Sequence, residues 1–332
     1  MLLHLLVLGA VSGRGGLEAV APSPDGKLLA VGGQNRVVYL LDAGTLEVKR
    51  RLRLGARIGA IAWAGKSLLV EDETDALLRL DAETGKETGR VADASGMLVA
   101  GNLVAVRDLK RPDRPAVRLL DAATLAEKAR FPLTERASAF AFSADGKRLA
   151  VLEGGHESPT EKRIPLRDAP PALKGLARLE FQQKHDGRAS WLRVFDVPGT
   201  KELRAHRLWY VSDSDGTRLA LDGESALVFN RADACARIDG DGKAAMFGTG
   251  ERSVQALASD GRSLLVGGRA GGSSGALVGK RQPFSLDELP GQAEFVGGWA
   301  ILPDGSAWGV TTAWRVFRVG KDGTAGKARP VE

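Results

Sequence analysis

Apolar runs of five or six residues recur along the chain, each too short for a helix and each closed by a turn signal. Residues 18–55 (EAVAPSPDGKLLAVGGQNRVVYLLDAGTLEVKRRLRLG) show the pattern best. Residues 18–23 form a first apolar run. Pro24-Asp25-Gly26 reads as a tight turn in which glycine supplies the positive φ that hairpins need. Residues 27–31 (KLLAV) are a second run, closed by Gly32-Gly33. Residues 37–41 are a third, rich in β-branched and aromatic side chains. Asp42-Ala43-Gly44-Thr45 then turns the chain into residues 47–54, where charge alternates with Val and Leu. The pattern predicts four short antiparallel strands in series.

The same inner turn returns with glycines at 26, 65, 101, 146, 216, 261 and 305, spaced by 39, 36, 45, 70, 45 and 44 residues. Periods of about 40–45 residues suit four-stranded blades, which bury their faces only against neighbours. The residues after Gly305 and before Gly26 make up the remainder of one more repeat. The fold class expected is therefore all-β, a seven-bladed β-propeller of four-stranded antiparallel blades in a single domain over 1–332. Blades fall at about 12–55, 56–92, 93–133, 134–208, 209–248, 249–292, and 293–332 with 1–11. Within the long interval, residues 147–151 and 191–195 supply only one set of strands. The surplus is an insertion at 154–189, in the loop between second and third strands.

The Asp-containing turns LLDAGT (40–45), RLDAETG (79–85), LLDAATL (119–125) and VFDVPGT (194–200) mark the step from third to fourth strand, with the carboxylate placed to accept backbone N–H bonds. The PDGKLLAV…VVYLLDAGTLE pattern resembles the WD-repeat superfamily of seven-bladed propellers in its bacterial form, over nearly the whole chain. It departs from that pattern in lacking the opening Gly-His pair and in carrying Leu, Arg or Phe before the Asp. The resemblance implies that the second-to-third-strand loops and the connections between blades share one face.

The apolar run at residues 1–10 (MLLHLLVLGA) has no Lys or Arg before it. Its spacing predicts an outer strand that completes the last blade and closes the ring; a short secretion signal is the alternative. No stretch approaches the roughly 18 apolar residues of a membrane span, and no membrane contact is expected. One cysteine, Cys235, rules out an intramolecular disulfide framework and suits the reducing cytoplasm. The net charge of +6 is spread along the chain without a polybasic tail.

Candidate chemistry is sparse. His156, His185 and His206 fall in the fourth blade without metal-ligand spacing. No nucleophile elbow is present. Neither catalytic residues nor a cofactor is expected. The loops between second and third strands vary most, and variable loops on a rigid scaffold carry binding. The insertion holds seven Lys or Arg against five Asp or Glu, and four of the fourteen prolines. Residues 172–181 suggest a short helix with Leu173 and Leu176 seeking a partner face. Together with Lys110, Arg111 and Arg114 in the third blade, the residues expected to meet a partner are His156, Arg163, Arg167, Leu173 and Leu176. Residues 49–57 form a second basic cluster, on an outer strand whose charge guards the blade edge.

The expected function is a non-catalytic scaffold that presents variable loops to protein partners, with the insertion as main contact. A small-ligand or metal-dependent hydrolase of the lactonase-like kind, with its site over the central channel, is the alternative. A nucleic-acid-binding module is a weaker one, since the basic patches lack interleaved aromatics.

Overall fold

The computed structural model describes residues 16–157, 188–208, 218–229, 235–247, 256–259, 263–268, 271–276, 281–287, 294–302 and 304–331, with isolated positions between 170 and 181. Within them the chain is all-β and builds seven four-stranded antiparallel sheets, each from four consecutive strands. The first holds β1 (Leu17–Pro22), β2 (Leu28–Gly33), β3 (Val37–Asp42) and β4 (Val48–Arg53). The second holds β5 (Ile58–Ala64), β6 (Ser67–Asp72), β7 (Leu77–Asp81) and β8 (Glu87–Val91). The third holds β9 (Ala94–Ala100), β10 (Leu103–Asp108), β11 (Ala116–Asp121) and β12 (Glu127–Pro132). The fourth is β13 (Ala137–Phe142), β14 (Arg148–Glu157), β15 (Arg188–Asp196) and β16 (Lys201–Leu208). The fifth is β17 (Arg218–Asp222), β18 (Ser225–Phe229), β19 (Cys235–Ile238) and β20 (Ala244–Phe247). The sixth is β21 (Ala256–Ser259), β22 (Ser263–Gly268), β23 (Gly271–Ala276) and β24 (Arg281–Ser285). The seventh is β25 (Val296–Ile301), β26 (Ala307–Thr311), β27 (Arg315–Val319) and β28 (Arg329–Pro330).

The core lies between sheets, because each apolar face is covered only by the next sheet. Ala19, Leu40 and Val38 pack with Ile58, Leu68 and Leu78. Leu69 and Leu77 pack with Val104 and Leu120. Phe131 of the third sheet meets Phe195 of the fourth, ring centroids 4.9 Å apart. Ala139 and Leu192 join Leu219 and Val228. Leu286, just after the sixth sheet, joins Val296 and Phe317 of the seventh. Finally Trp308, Val310 and Val316 of the seventh sheet share a core with Leu17, Leu29 and Leu41 of the first. Among the described residues no such cluster joins the fifth sheet to the sixth.

The seam between first and last sheets depends on absent side chains. A Cβ on Gly297 would lie 2.1 Å from the carbonyl oxygen of Leu17, and one on Gly298 would lie 2.3 Å from that of Glu18. Only glycine lets the two backbones approach so closely.

Several expectations shift against this architecture. The inner turns at Gly26, Gly65, Gly101, Gly146 and Gly305 are as read, all with positive φ. Gly216 lies outside the described residues, and the inner turn of the fifth sheet is at Gly223, φ +57°. RLALD is thereby the first strand of that sheet, not the second. This register turns Leu219 and Leu221 toward Ala139 and Ala141 of the fourth sheet, and the buried face decides between two similar turn signals. The glycine-rich stretch GGRAGGSSGA (267–276), whose composition suits a loop, is largely strand: β23 pairs with both β22 and β24. Glycine is a poor strand former, but a Cβ on Gly271 would sit 2.3 Å from the Phe284 carbonyl oxygen, so the ladder there is too close for a side chain. Residues 1–11 lie outside the described residues, and the outer place they were expected to take in the seventh sheet is filled by β28, which pairs with Arg315 and Val316. The long connection of the fourth sheet runs from 158 to 187, because β14 and β15 extend to ten and nine residues.

Candidate functional site

Two loop families meet on one face. Amides in or beside the second-to-third-strand loops bond to the connections between sheets: Leu109 N to Asp93 O at 2.9 Å, Glu73 N to Arg57 O at 2.9 Å, and Gly154 N to Arg136 O at 3.3 Å. The expected common face is therefore built by backbone hydrogen bonds.

Rigidity at this face comes from buried polar groups where second strands end. Asp72, Asp108, Glu153 and Thr311 lie opposite Ile58, Ala94, Ala137 and Val296 of the first strands, the same register position in four sheets. Asp72 Oδ1 accepts from the Thr74 amide and hydroxyl, at 2.9 and 2.5 Å. Glu153 Oε2 accepts from the amides of Thr134 and Glu135, both at 2.9 Å. Thr311 Oγ1 accepts from the amides of Ala313 and Arg315, at 3.2 and 3.3 Å. Each group ties a loop to its strand. The sequence carries this as an acidic or hydroxyl residue one or two places past an apolar run, in VED, VRD, VLE and GVT.

A central cavity of about 1230 Å³ is lined by first strands of six sheets. Register shifts bulge these strands at matching places, between Leu17 and Ala19, Ile58 and Ala60, Ala137 and Ala139, and Val296 and Gly298. The extra residues are Glu18, Gly59, Ser138 and Gly297, and all four line the cavity. A bulge re-aims its residue, which is the effect here. At the loop-side mouth Glu18 is held by Arg57 at 2.7 Å and by Gln34 at 2.8 Å. The Glu71 carboxylate accepts the amides of Gly96 and Met97 at 2.9 and 2.5 Å. Arg107 of β10 lies over Gly96 beside Phe140, and its buried Nε has no acceptor. Burial first, then the like charge of Arg136, pulls its pKa below the ordinary arginine value; Glu71 opposes the shift and Arg218 adds to it.

A second concavity of about 560 Å³ lies between the second and third sheets, lined by Arg90, Lys110, Arg111, Arg118 and Arg130 with Asp93, Asp108 and Glu127. Two of its three carboxylates, Glu127 and Asp108, are engaged, while Asp93 is exposed and makes no ion pair among the described residues. Glu127 bonds to the Nε atoms of Arg118 and Arg130, each at 2.9 Å. Asp108 is clasped by Arg130, with Arg118 3.9 Å away. Burial pushes the Asp108 carboxyl up, but the hydrogen bond and charge of Arg130 override it and hold it below the usual carboxylate range. Lys110 and Arg111 are exposed and make no ion pair among the described residues.

Of the residues expected to meet a partner, the structure brings Lys110 and Arg111 together at this notch. Arg114 is exposed in the same loop, 3.8 Å from Asp113, and does not line it. His156 lies in β14 opposite Ala189. Arg163, Arg167, Leu173 and Leu176 lie outside the described residues. Arg107 belongs to β10, and nothing in the sequence pattern marks it as a cavity residue. Among the described residues no three His, Cys, Asp or Glu side chains group as a metal site, and no helix is long and apolar enough to cross a membrane.

No protein-family model matches the chain, and no curated protein matches it significantly.

Proposed function

We propose that the seven sheets close into a seven-bladed propeller of WD-repeat-like kind, and that the propeller is a non-catalytic scaffold that docks an acidic segment of a protein partner on its loop face. The shared core of first and last sheets and a cavity lined by the first strands of six sheets support the ring. The observation that carries the scaffold reading is the basic notch. Two of its three carboxylates, Asp108 and Glu127, are taken up by Arg118 and Arg130, and five cations face three carboxylates in the lining, so Lys110 and Arg111 remain on the rim for an incoming anion. Charge complementarity of this kind steers encounter and selects partners. The connection at 158–187, basic in sequence, is proposed as a further contact from the fourth sheet. The single cysteine is in keeping with a cytoplasmic setting.

The test is affinity capture from native cells with three baits: the wild-type chain, K110E/R111E/R114E, and a chain lacking 158–187. A partner held by the wild type, released by raised salt and lost with the triple variant is the expected result. A partner retained by the triple variant at wild-type yield would defeat the assignment of the rim.

A further inference from the structure

We propose that the loop-side mouth of the cavity lined by the first strands binds the oxyanionic group of a small molecule, with Arg107 as the contacting cation and Arg136 adding to the positive field around it. This site stands apart from the rim notch, and neither reading depends on the other.

The argument starts from how the charges at the mouth are spent. Both acidic groups there are satisfied: Glu18 by Arg57 and Gln34, Glu71 by two backbone amides. The cation has no such answer. Arg107 has no ion-pair partner among the described residues, and its Nε is buried without an acceptor. The like charge of Arg136, in the connection before the fourth sheet, acts on it more strongly than the opposite charges of Glu71 and Asp75. Arg107 is partly buried, and the charges of Glu71 and Asp75 favour it only at a distance, so its buried N–H carries a desolvation cost that no direct acceptor offsets. Arg107 and Phe140 both lie close above Gly96, and that packing leaves the N–H unsatisfied.

Placement makes that cost useful. Gly96 has φ +72°, and a Cβ there would press to 3.0 Å from Nη2 and 3.1 Å from Nε of Arg107. The glycine thus keeps the guanidinium low against the cavity wall. A guanidinium presents donors in a fixed fork that matches phosphate and carboxylate oxygens. The cavity is larger than an inorganic ion requires, and Trp63, Phe140 and Trp299 line it, so a ligand with an apolar or planar body attached to its anionic group fits.

The experiment is isothermal titration of the full chain with sodium phosphate and, separately, sodium malonate, both at an ionic strength fixed with sodium chloride. Saturable one-site binding of at least one anion is expected, and which anion binds tells phosphate from carboxylate. R107Q should weaken that binding at least ten-fold, R107K should restore part of it, and R53Q, on an exposed outer strand, should leave it unchanged. Without added anion, R107Q should unfold no earlier than the wild type, because the cation it removes has no partner in the fold. Should R107Q fail to fold, R136Q takes its place, with at least a three-fold loss expected. Heats indistinguishable from chloride for both anions, or equal affinity in the wild type and the folded variant, would overturn the proposal.

Discussion

Nε of Arg193 lies 2.5 Å from Oε1 of Glu153, a carboxylate with no exposed surface at the end of a second strand. The other oxygen of Glu153 accepts the amides of Thr134 and Glu135, so one side chain joins its own sheet, the third strand beside it and the connection leading into the sheet. Burial pushes the Glu153 carboxyl up, against the pull of those amides and of Arg193.

R193M leaves that carboxylate buried without its cation and should destabilise the protein by about 3–5 kcal/mol in urea denaturation. The sign of the pH effect follows from the raised pKa. The unfolded chain releases the Glu153 proton first, so stability falls as pH rises from the ordinary glutamate value through the higher folded one. Removing Arg193 raises the folded value further. The deficit of R193M should therefore shrink in acid, and a deficit equal at pH 5 and pH 8 would contradict the account.

The turn aspartates act in the opposite direction. Asp42 is held below the usual range first by the Thr45 amide, and Asp81 and Asp121 first by the hydroxyls of Thr84 and Thr124. Such groups contribute stability above the ordinary aspartate pKa of about 3.9, and it is lost as pH falls through their lower folded values. D42N/D81N/D121N should melt below the wild type at pH 7, with the gap closing toward pH 3. A constant gap would mean that the charge plays no part in these turns.

Gly297 and Gly59 occupy the same bulge position in different sheets but have different surroundings. A Cβ at Gly297 meets the Leu17 carbonyl oxygen at 2.1 Å, whereas at Gly59 the nearest atom is the Glu71 carbonyl oxygen at 3.9 Å. G297A should cost about 1–3 kcal/mol by forcing the first and last sheets apart. G59A should be neutral or stabilising by up to about 1 kcal/mol. Thermal denaturation of the two variants side by side decides this.

K110E/R111E should leave global stability within about 0.5 kcal/mol of the wild type, since neither side chain makes an ion pair in the fold. A larger change in urea denaturation would show that the rim charges serve the fold.

Much of the sheet framework was legible in the sequence because its turns are local chemistry. Asp25-Gly26 and Asp145-Gly146 announce hairpins, and Asp42, Asp81, Asp121 and Asp196 announce the next turn, by the preferences of single residues and their neighbours. Where two such signals compete, as at Gly216 and Gly223, the choice belongs to Leu219 and Leu221 finding the fourth sheet, which no local pattern contains. The GGSSGA strand was hidden for a related reason. Its glycines are selected by the approach of β24, and composition alone reads them as slack. The candidate sites were the least legible part. Lys110 and Arg111 stand out as a basic pair, but Arg107 becomes notable only when Glu18 and Glu71 are seen to be satisfied by others.

Because every sheet is made of four consecutive strands, almost all pairing in this protein is short in sequence range, and such contacts form early. The contact of β1 with β25 and β26 is the exception. On a ribosome making this chain from its N-terminus, the apolar flank of the first sheet would emerge long before the strands that cover it. Leu17, Leu29 and Leu41 would stay open to water, or to a chaperone, until residues 296–316 are made. The last step of folding is thus a docking of the two ends of the described chain, and its success rests on two glycines that leave β1 room to be reached.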